Sequence, residues 1–270
     1  MAVLTLSREH QNGCVEIGRA VADHLHYDFV DRHKIFAALK AYGERWGRMA
    51  EELHEQPPTL WEKYDRMYQG FIALVESTIF EFAKGNRAVI LGRGSAFLLH
   101  DIPQVLKVRL YAPLELRIER RMQEEGEDRA AAEEYIRRSD KSRINYIKSI
   151  YGKKLSQTSS YDLIYNTEIQ TFDQVTRNLV EILESWDRRA TEEGTQRLRD
   201  RALAARLKAV ILTHPEVYIP TLEVFPKDRE IVVRGVVHSA REAQQARELI
   251  HRTLDPHPFR NELHYRKVKK

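Results

Sequence analysis

The chain has 270 residues, 42% hydrophobic and 31% charged, enough apolar side chain for one large domain or two ordinary ones. No apolar run reaches the ~18–20 residues of a membrane span, and no charged-then-apolar leader opens the chain, so a cytoplasmic protein without a transmembrane segment is expected. The single cysteine, Cys14, excludes an internal disulfide framework, and the net charge of +4 divides into −2 over residues 1–186 and +6 over 187–270.

Val3, Leu4 and Leu6 read as a short buried strand, Ser7 to Gly13 break it, and Val15, Ile17, Val21 and Leu25 recur at helical spacing. A strand–loop–helix of this kind turns backbone N–H groups toward an anion. The pattern G-x-x-x-x-G-K-[ST] is not met, because Gly13 is the one glycine in the turn and no lysine or hydroxyl residue follows it. The turn is therefore either a phosphate-binding loop or an ordinary strand–helix connection. Cys14, at the helix start, is either a reactive thiol or a small packed residue.

Tyr27–Val30 reads as a second strand, with Asp31 either beside a ligand at the strand's carboxyl end or capping a helix over Lys34–Tyr42. Residues 43–57 read as a polar loop ending in Pro57-Pro58. A helix is expected from Leu60 to Ala83, its stripe of Tyr64, Met67, Tyr68, Phe71, Ile72, Val75, Ile79 and Phe82 facing the core. Ala88–Leu91 is an apolar strand running into Gly92-Arg93-Gly94-Ser95, where glycines let backbone approach closely and a guanidinium can grip a phosphate. The alternative is a glycine turn with a surface arginine.

Val105–Tyr111 is a further strand, and Pro113 suits the first turn of a helix over Leu114–Glu124 that presents Arg117, Arg120 and Arg121. Residues Arg129–Tyr151 read as a basic helix, Asp162–Thr167 as a strand and Phe172–Trp186 as an amphipathic helix. Strands alternating with helices imply an α/β fold with a parallel sheet covered on both faces.

Residues 187–199 read as a charged helical linker. Beyond it, a helix over Leu203–Leu212, strands at Thr221–Phe225 and Glu230–Val237, a helix over Ala240–Leu254 capped by Ser239, and a strand at Asn261–Val268 give a small α+β module of order αββαβ. His238 reads as a turn residue. The basic excess is interleaved with acids and has no helix-turn-helix, zinc or aromatic-platform pattern, which argues against nucleic acid.

Taken in order, Ser7-Arg8-Glu9, the Tyr27–Asp31 strand end, Ile90-Leu-Gly-Arg93-Gly94, Leu110–Arg117, Asp140-Lys-Ser-Arg143-Ile-Asn-Tyr146 and Tyr161–Thr167 resemble the cytidylate kinase-like family of P-loop nucleoside-monophosphate kinases over about residues 1–185. The resemblance implies a P-loop kinase-type sheet, with ATP and Mg²⁺ at the first loop and a nucleoside monophosphate, most plausibly a pyrimidine nucleotide, in the adjoining crevice. It makes Ser7, Arg8, His10, Gln11, Asn12, Gly13 and Cys14 the ATP-binding candidates. Arg93 would hold the acceptor phosphate and act in transfer with Arg137, Asp140 and Arg143 of a lid segment. Asp31, Arg32, Arg117 and Arg121 would complete the substrate contacts. No protein metal ligand is read.

The family's loop runs like S-R-x-x-G-S-G-G-R-E-I, whereas here Gln11 and Cys14 replace glycines and Val15 replaces the arginine. The missing charge removes a contact worth on the order of 1.5–3 kcal/mol. The expectation is a phosphoryl-transfer enzyme or, alternatively, a nucleotide-binding sensor that does not turn over. Residues 200–268, with Ile231-Val-Val-Arg-Gly-Val-Val-His-Ser239 before the second helix of the module, resemble a BON domain. That implies a phospholipid, protein or other ligand for the module. The domains expected are therefore 1–186, a linker at 187–199, and 200–270.

Overall fold

The computed structural model describes residues 2–53, 58–59 and 61–265. Among them, strands β1 (Val3–Ser7), β2 (Asp28–Val30), β3 (Ala88–Leu91), β4 (Val105–Tyr111) and β5 (Leu163–Asn166) form one sheet in the order β2-β3-β1-β4-β5. Every pairing is parallel. The near-continuous apolar strands fit a sheet buried on both faces. β1 is central, so whatever follows its carboxyl end sits where the chain order reverses on either side, the place at which open α/β sheets bind ligands.

Helix α1 (Cys14–Leu25) follows β1, and α2 (Arg32–Lys40) follows β2. Asp31 caps α2 by accepting the Lys34 N–H at 3.0 Å. Residues 44–53, read from the sequence as part of a polar loop, form α3 (Glu44–Leu53), whose Trp46 and Ala50 are buried. Trp46, Met49, Ala50 and Leu53 stand at i, i+3, i+4 and i+7, a helical period that the reading as a polar loop passed over. A 3-10 turn at Glu62–Tyr64 precedes α4 (Arg66–Lys84), which is therefore shorter than the helix expected from Leu60. Tyr68, Phe71, Val75 and Ile79 enter the core as expected, but Tyr64 and Met67 are exposed. Pro57 and Leu60 lie outside the described residues, as do the last residues of the strand expected at 261–268.

The short helix α5 (Ser95–Leu98) follows β3. Next come α6 (Leu114–Glu125), which starts directly after Pro113, and the long α7 (Arg129–Tyr151). Helix α8 (Phe172–Trp186) follows β5 behind a capping box at Thr171 and Gln174. Asp187–Arg189 is a 3-10 turn, and Glu192–Thr213 is one continuous helix, α9, so the stretch 190–199 opens into its first turns.

The remaining strands β6 (Glu223–Lys227), β7 (Glu230–Val237) and β8 (Phe259–Tyr265) make a second sheet, with β6-β7 antiparallel and β7-β8 parallel across α10 (Ala240–Leu254). Ser239 caps α10 by accepting the Glu242 N–H at 3.0 Å. One buried cluster runs from Val3 and Ile90 through Phe71 and Leu74 of α4 to Leu207 and Ile211 of α9, and on to Ile231 and Ile250. Helix α9 therefore gives apolar side chains to a core shared with both sheets. Among the described residues no helix is long and apolar enough to cross a membrane.

Candidate functional site

The turn between β1 and α1 is held from behind. Asn12 is buried, donating from Nδ2 to the Leu110 carbonyl at 2.6 Å and accepting the Cys14 N–H at 3.2 Å. Three consecutive carbonyls are pulled toward the protein. That of His10 accepts from Arg117 at 3.2 Å, that of Gln11 from Arg120 at 3.4 Å, and that of Asn12 from the Thr167 hydroxyl at 3.0 Å. Carbonyls drawn to one side leave the intervening N–H groups facing the other. Those of Gln11 and Gly13 have no acceptor among the described residues.

The curl needs left-handed backbone at Gln11 (φ 57) and Gly13 (φ 78). At Gly13 a Cβ would also stand 2.1 Å from the Phe172 ring. Gln11 takes the strained conformation with a side chain that reaches Glu124 at 2.6 Å. Cys14 is buried and its thiol is pushed up to about 12, mainly by burial, so it is a packed residue rather than a thiolate.

Arginines from α6 and α7 converge on the turn. Arg117 donates from Nε to Ala112 O at 3.0 Å and reaches Asp140 Oδ2 at 2.6 Å. Asp140 Oδ1 accepts the His10 N–H at 3.0 Å and lies 3.6 Å from the Arg143 guanidinium. Glu9 lies 2.8 Å from Arg109 and 3.9 Å from Arg117. Arg121 forks onto Glu127 at 2.8 and 2.7 Å, stands 3.6 Å over the Tyr135 ring and meets His10 Nε2 at 3.2 Å. Burial first, then Arg143, Arg121, Arg8 and Arg117, pull the His10 pKa from 6.5 down to about 3. The ring is therefore neutral at pH 7. Because arginine can only donate, Nε2 is the acceptor and the proton sits on Nδ1.

The neighbouring turn after β3 supplies the other wall. Gly92, Arg93 and Gly94 are all left-handed, at φ 71, 55 and 72. Arg93 is 4% exposed, with its guanidinium 4.7 Å over the Phe36 ring of α2, and its carbonyl accepts the Tyr151 hydroxyl at 3.2 Å. Ala96 and Phe97 of α5 pack with Tyr146 and Ile147 of α7, so that helix lies down on this turn.

Ser7 through Cys14, Arg117, Arg121, Asp140 and Arg143 thus come together, with Arg93 on the next turn. Arg137 lies on the outer face of α7, its side chain 61% exposed and paired with Glu133 at 2.7 Å. Asp31 and Arg32 open α2, two strands away from β1. The sequence reading assigned no role to Glu9, Arg109, Thr167 or Phe172, and gave Arg120 only as one of three arginines presented by its helix. Glu9 and Thr167 stood inside its quoted motifs, but their partners lie about 100 and 155 residues away in the chain.

The free N–H groups and surrounding arginines fit a polyphosphate. A metal fits less well. Both carboxylates beside the loop, Glu9 and Asp140, are engaged by arginine, and no group of three His, Cys, Asp or Glu among the described residues could hold an ion. Two cavities lie elsewhere, one of about 360 Å³ between α4 and α9 and one of about 410 Å³ between α10 and β8.

Residues 3–169 match the model of a family described as the cytidylate kinase-like family. A cytidylate kinase from Methanopyrus kandleri is 28% identical over 200 residues, 68% of this chain and 96% of that protein. A uronate isomerase from Corynebacterium glutamicum is 32% identical over 99 residues, and that match spans only 19% of the isomerase and 37% of this chain. An uncharacterized protein from Eubacterium ventriosum shares the fold with a TM-score of 0.55 at 17% identity, over 68% of this chain and 99% of that one.

Proposed function

The chain belongs to the cytidylate kinase-like family, and from that premise we propose that it binds ATP over residues 7–14 and transfers a phosphoryl group to a nucleoside monophosphate. The observation that carries this reading is the loop at the end of the central strand, its carbonyls turned back by Arg117, Arg120 and Thr167 and its mouth ringed by arginine. In-line transfer asks mainly for positioning and neutralisation of charge on the moving group. Arg93, fixed over Phe36 at the adjoining turn, would hold the acceptor phosphate, and Arg143 on α7 would face the transferring group. Arg117 and Arg120 hold the loop's own carbonyls and so position it. Mg²⁺ is implied by the family, and among the described residues no group of three His, Cys, Asp or Glu could hold it.

A coupled ADP-release assay with ATP, Mg²⁺ and a panel of nucleoside monophosphates tests this. The expected result is turnover dependent on one acceptor, reduced ~10²-fold or more in Arg93→Ala. Folded protein that releases no ADP with any acceptor sinks the kinase reading.

Two departures favour a second reading, a nucleotide-binding sensor without turnover. Gln11 sits in left-handed backbone where the family has glycine, and Val15 supplies no charge. In either reading, residues 1–186 would be the kinase-like unit, joined through 187–199 to a BON-like module at 200–270 that takes a protein, phospholipid or other ligand.

A further inference from the structure

We propose that Asp140 is an internal latch on the phosphate loop, a carboxylate from α7 that nucleotide must displace before it can bind. The inference rests on the loop being a nucleotide site, as proposed above, and adds how access to it is controlled. Asp140 Oδ1 accepts the His10 N–H at 3.0 Å, a donor of the loop itself, while Oδ2 takes Arg117 at 2.6 Å. Arg117 in turn holds the His10 carbonyl, so both sides of one loop residue are tied to one acid–base pair.

A phosphate oxygen and a carboxylate oxygen compete for the same kind of partner, an N–H backed by a guanidinium. Arg143, one turn along α7, lies 3.6 Å from Asp140, so the acid also engages a cation that the transfer reading needs for the moving phosphate. Burial first, and then the charges of Arg143, Arg121, Arg8 and Arg117, keep His10 neutral, and those guanidiniums are what an anion seeks. Asp140 fills that demand from within the chain. Through it, α7 is drawn onto the loop as well as onto α5.

The consequence runs opposite to the ordinary expectation for a lid residue. Removing the charge of a residue that supports nucleotide binding weakens binding, whereas removing the charge of a latch strengthens it. An equilibrium shifts only by the differential affinity of the ligand for its two states, so the gain measures how far the latched form competes.

The test is ATP affinity, measured by calorimetry without acceptor, for the full chain, for Asp140→Asn and for Glu16→Gln. Glu16→Gln removes an exposed carboxylate in the first turn of α1, beside the loop but holding none of its N–H groups, and so reports the general effect of deleting one negative charge. The expected result is that Asp140→Asn binds ATP about tenfold more tightly, an ordinary size for a coupling, while Glu16→Gln gains no more than about twofold. Equal gains in the two variants, or weaker binding by Asp140→Asn, overturn the latch and leave the nucleotide site standing. Absence of ATP binding by all three proteins overturns both.

A second measurement needs no substitution and covers a variant that fails to fold. In the unaltered protein, saturating ATP is expected to speed hydrogen exchange of the α7 amides around residues 136–143. A lid that closes on nucleotide gains protection there instead, and that result overturns the latch.

Discussion

His10 is the residue at which burial, charge and loop geometry meet. Its ring is wedged between Tyr135, 5.0 Å away, and the Arg121 guanidinium, and its pKa falls from 6.5 to about 3. A base depressed on folding contributes stability that is fully present above its unfolded pKa. That stability is lost as pH falls from 6.5 toward 3, because the unfolded chain then takes up a proton that the native ring refuses. At pH 5 the loss from this one group reaches roughly 2 kcal/mol, less whatever solvent screening removes at a site that is only partly buried. Urea denaturation at pH 7 and pH 5 checks it. The drop in midpoint should be visibly smaller in His10→Gln, and identical drops would show that the ring protonates freely in the native state. None of this was legible in the sequence, where His10 was only one of seven ATP-binding candidates along a turn. The turn itself was legible, from an apolar strand breaking at Ser7 and a helical period resuming at Val15. What stayed hidden is its bracing, since Arg117, Arg120 and Thr167 reach the carbonyls of residues 10–12 from more than 100 residues away.

Among the elements, the turn after β3 and helix α7 depend on one another. Three successive left-handed residues aim Arg93, and Gly94 leaves room for the Tyr151 ring, which an added Cβ would approach to 2.1 Å. Gly94→Ala therefore meets two penalties, an L side chain at φ 72 and a clash that forces Tyr151 off its bond to the Arg93 carbonyl. The expected cost is about 2–4 kcal/mol, with faster hydrogen exchange in the last turns of α7. A change within ~0.5 kcal/mol, the range of neutral surface substitutions, would mean that α7 does not rest on this turn. The glycine–arginine–glycine signal was visible in the chain, as either a phosphate-gripping turn or a glycine turn with a surface arginine, and the structure buries Arg93 rather than leaving it at the surface. Helix α3 was legible but passed over, since Trp46, Met49, Ala50 and Leu53 keep the i, i+3, i+4, i+7 period of a helix within a charged segment that was read as loop.

Across the whole molecule, the alternation of strands and helices was enough to anticipate a parallel sheet, because parallel neighbours need crossover connections and apolar strands need two covered faces. How the basic C-terminal third meets that sheet depends on surface shape, which composition does not encode. Helix α9 lays Leu198, Ala202, Leu207 and Ile211 into the same buried cluster as Phe71 and Leu74 of α4. Arg66 donates to the His214 carbonyl and Arg201 pairs with Asp101 at 2.5 Å along the same seam. A core continuous from β1 to α10 predicts that the chain unfolds as one unit despite its change in charge near Trp186. Leu207 is fully buried at the centre of that seam, so Leu207→Ala is expected to cost about 2–5 kcal/mol, lowering Tm by roughly 5–15 °C for a chain of this size. Calorimetry should show a single transition that moves as a whole. Two transitions, only one of them shifted by the substitution, would instead mean that the two sheets melt separately and that α9 belongs energetically to just one of them.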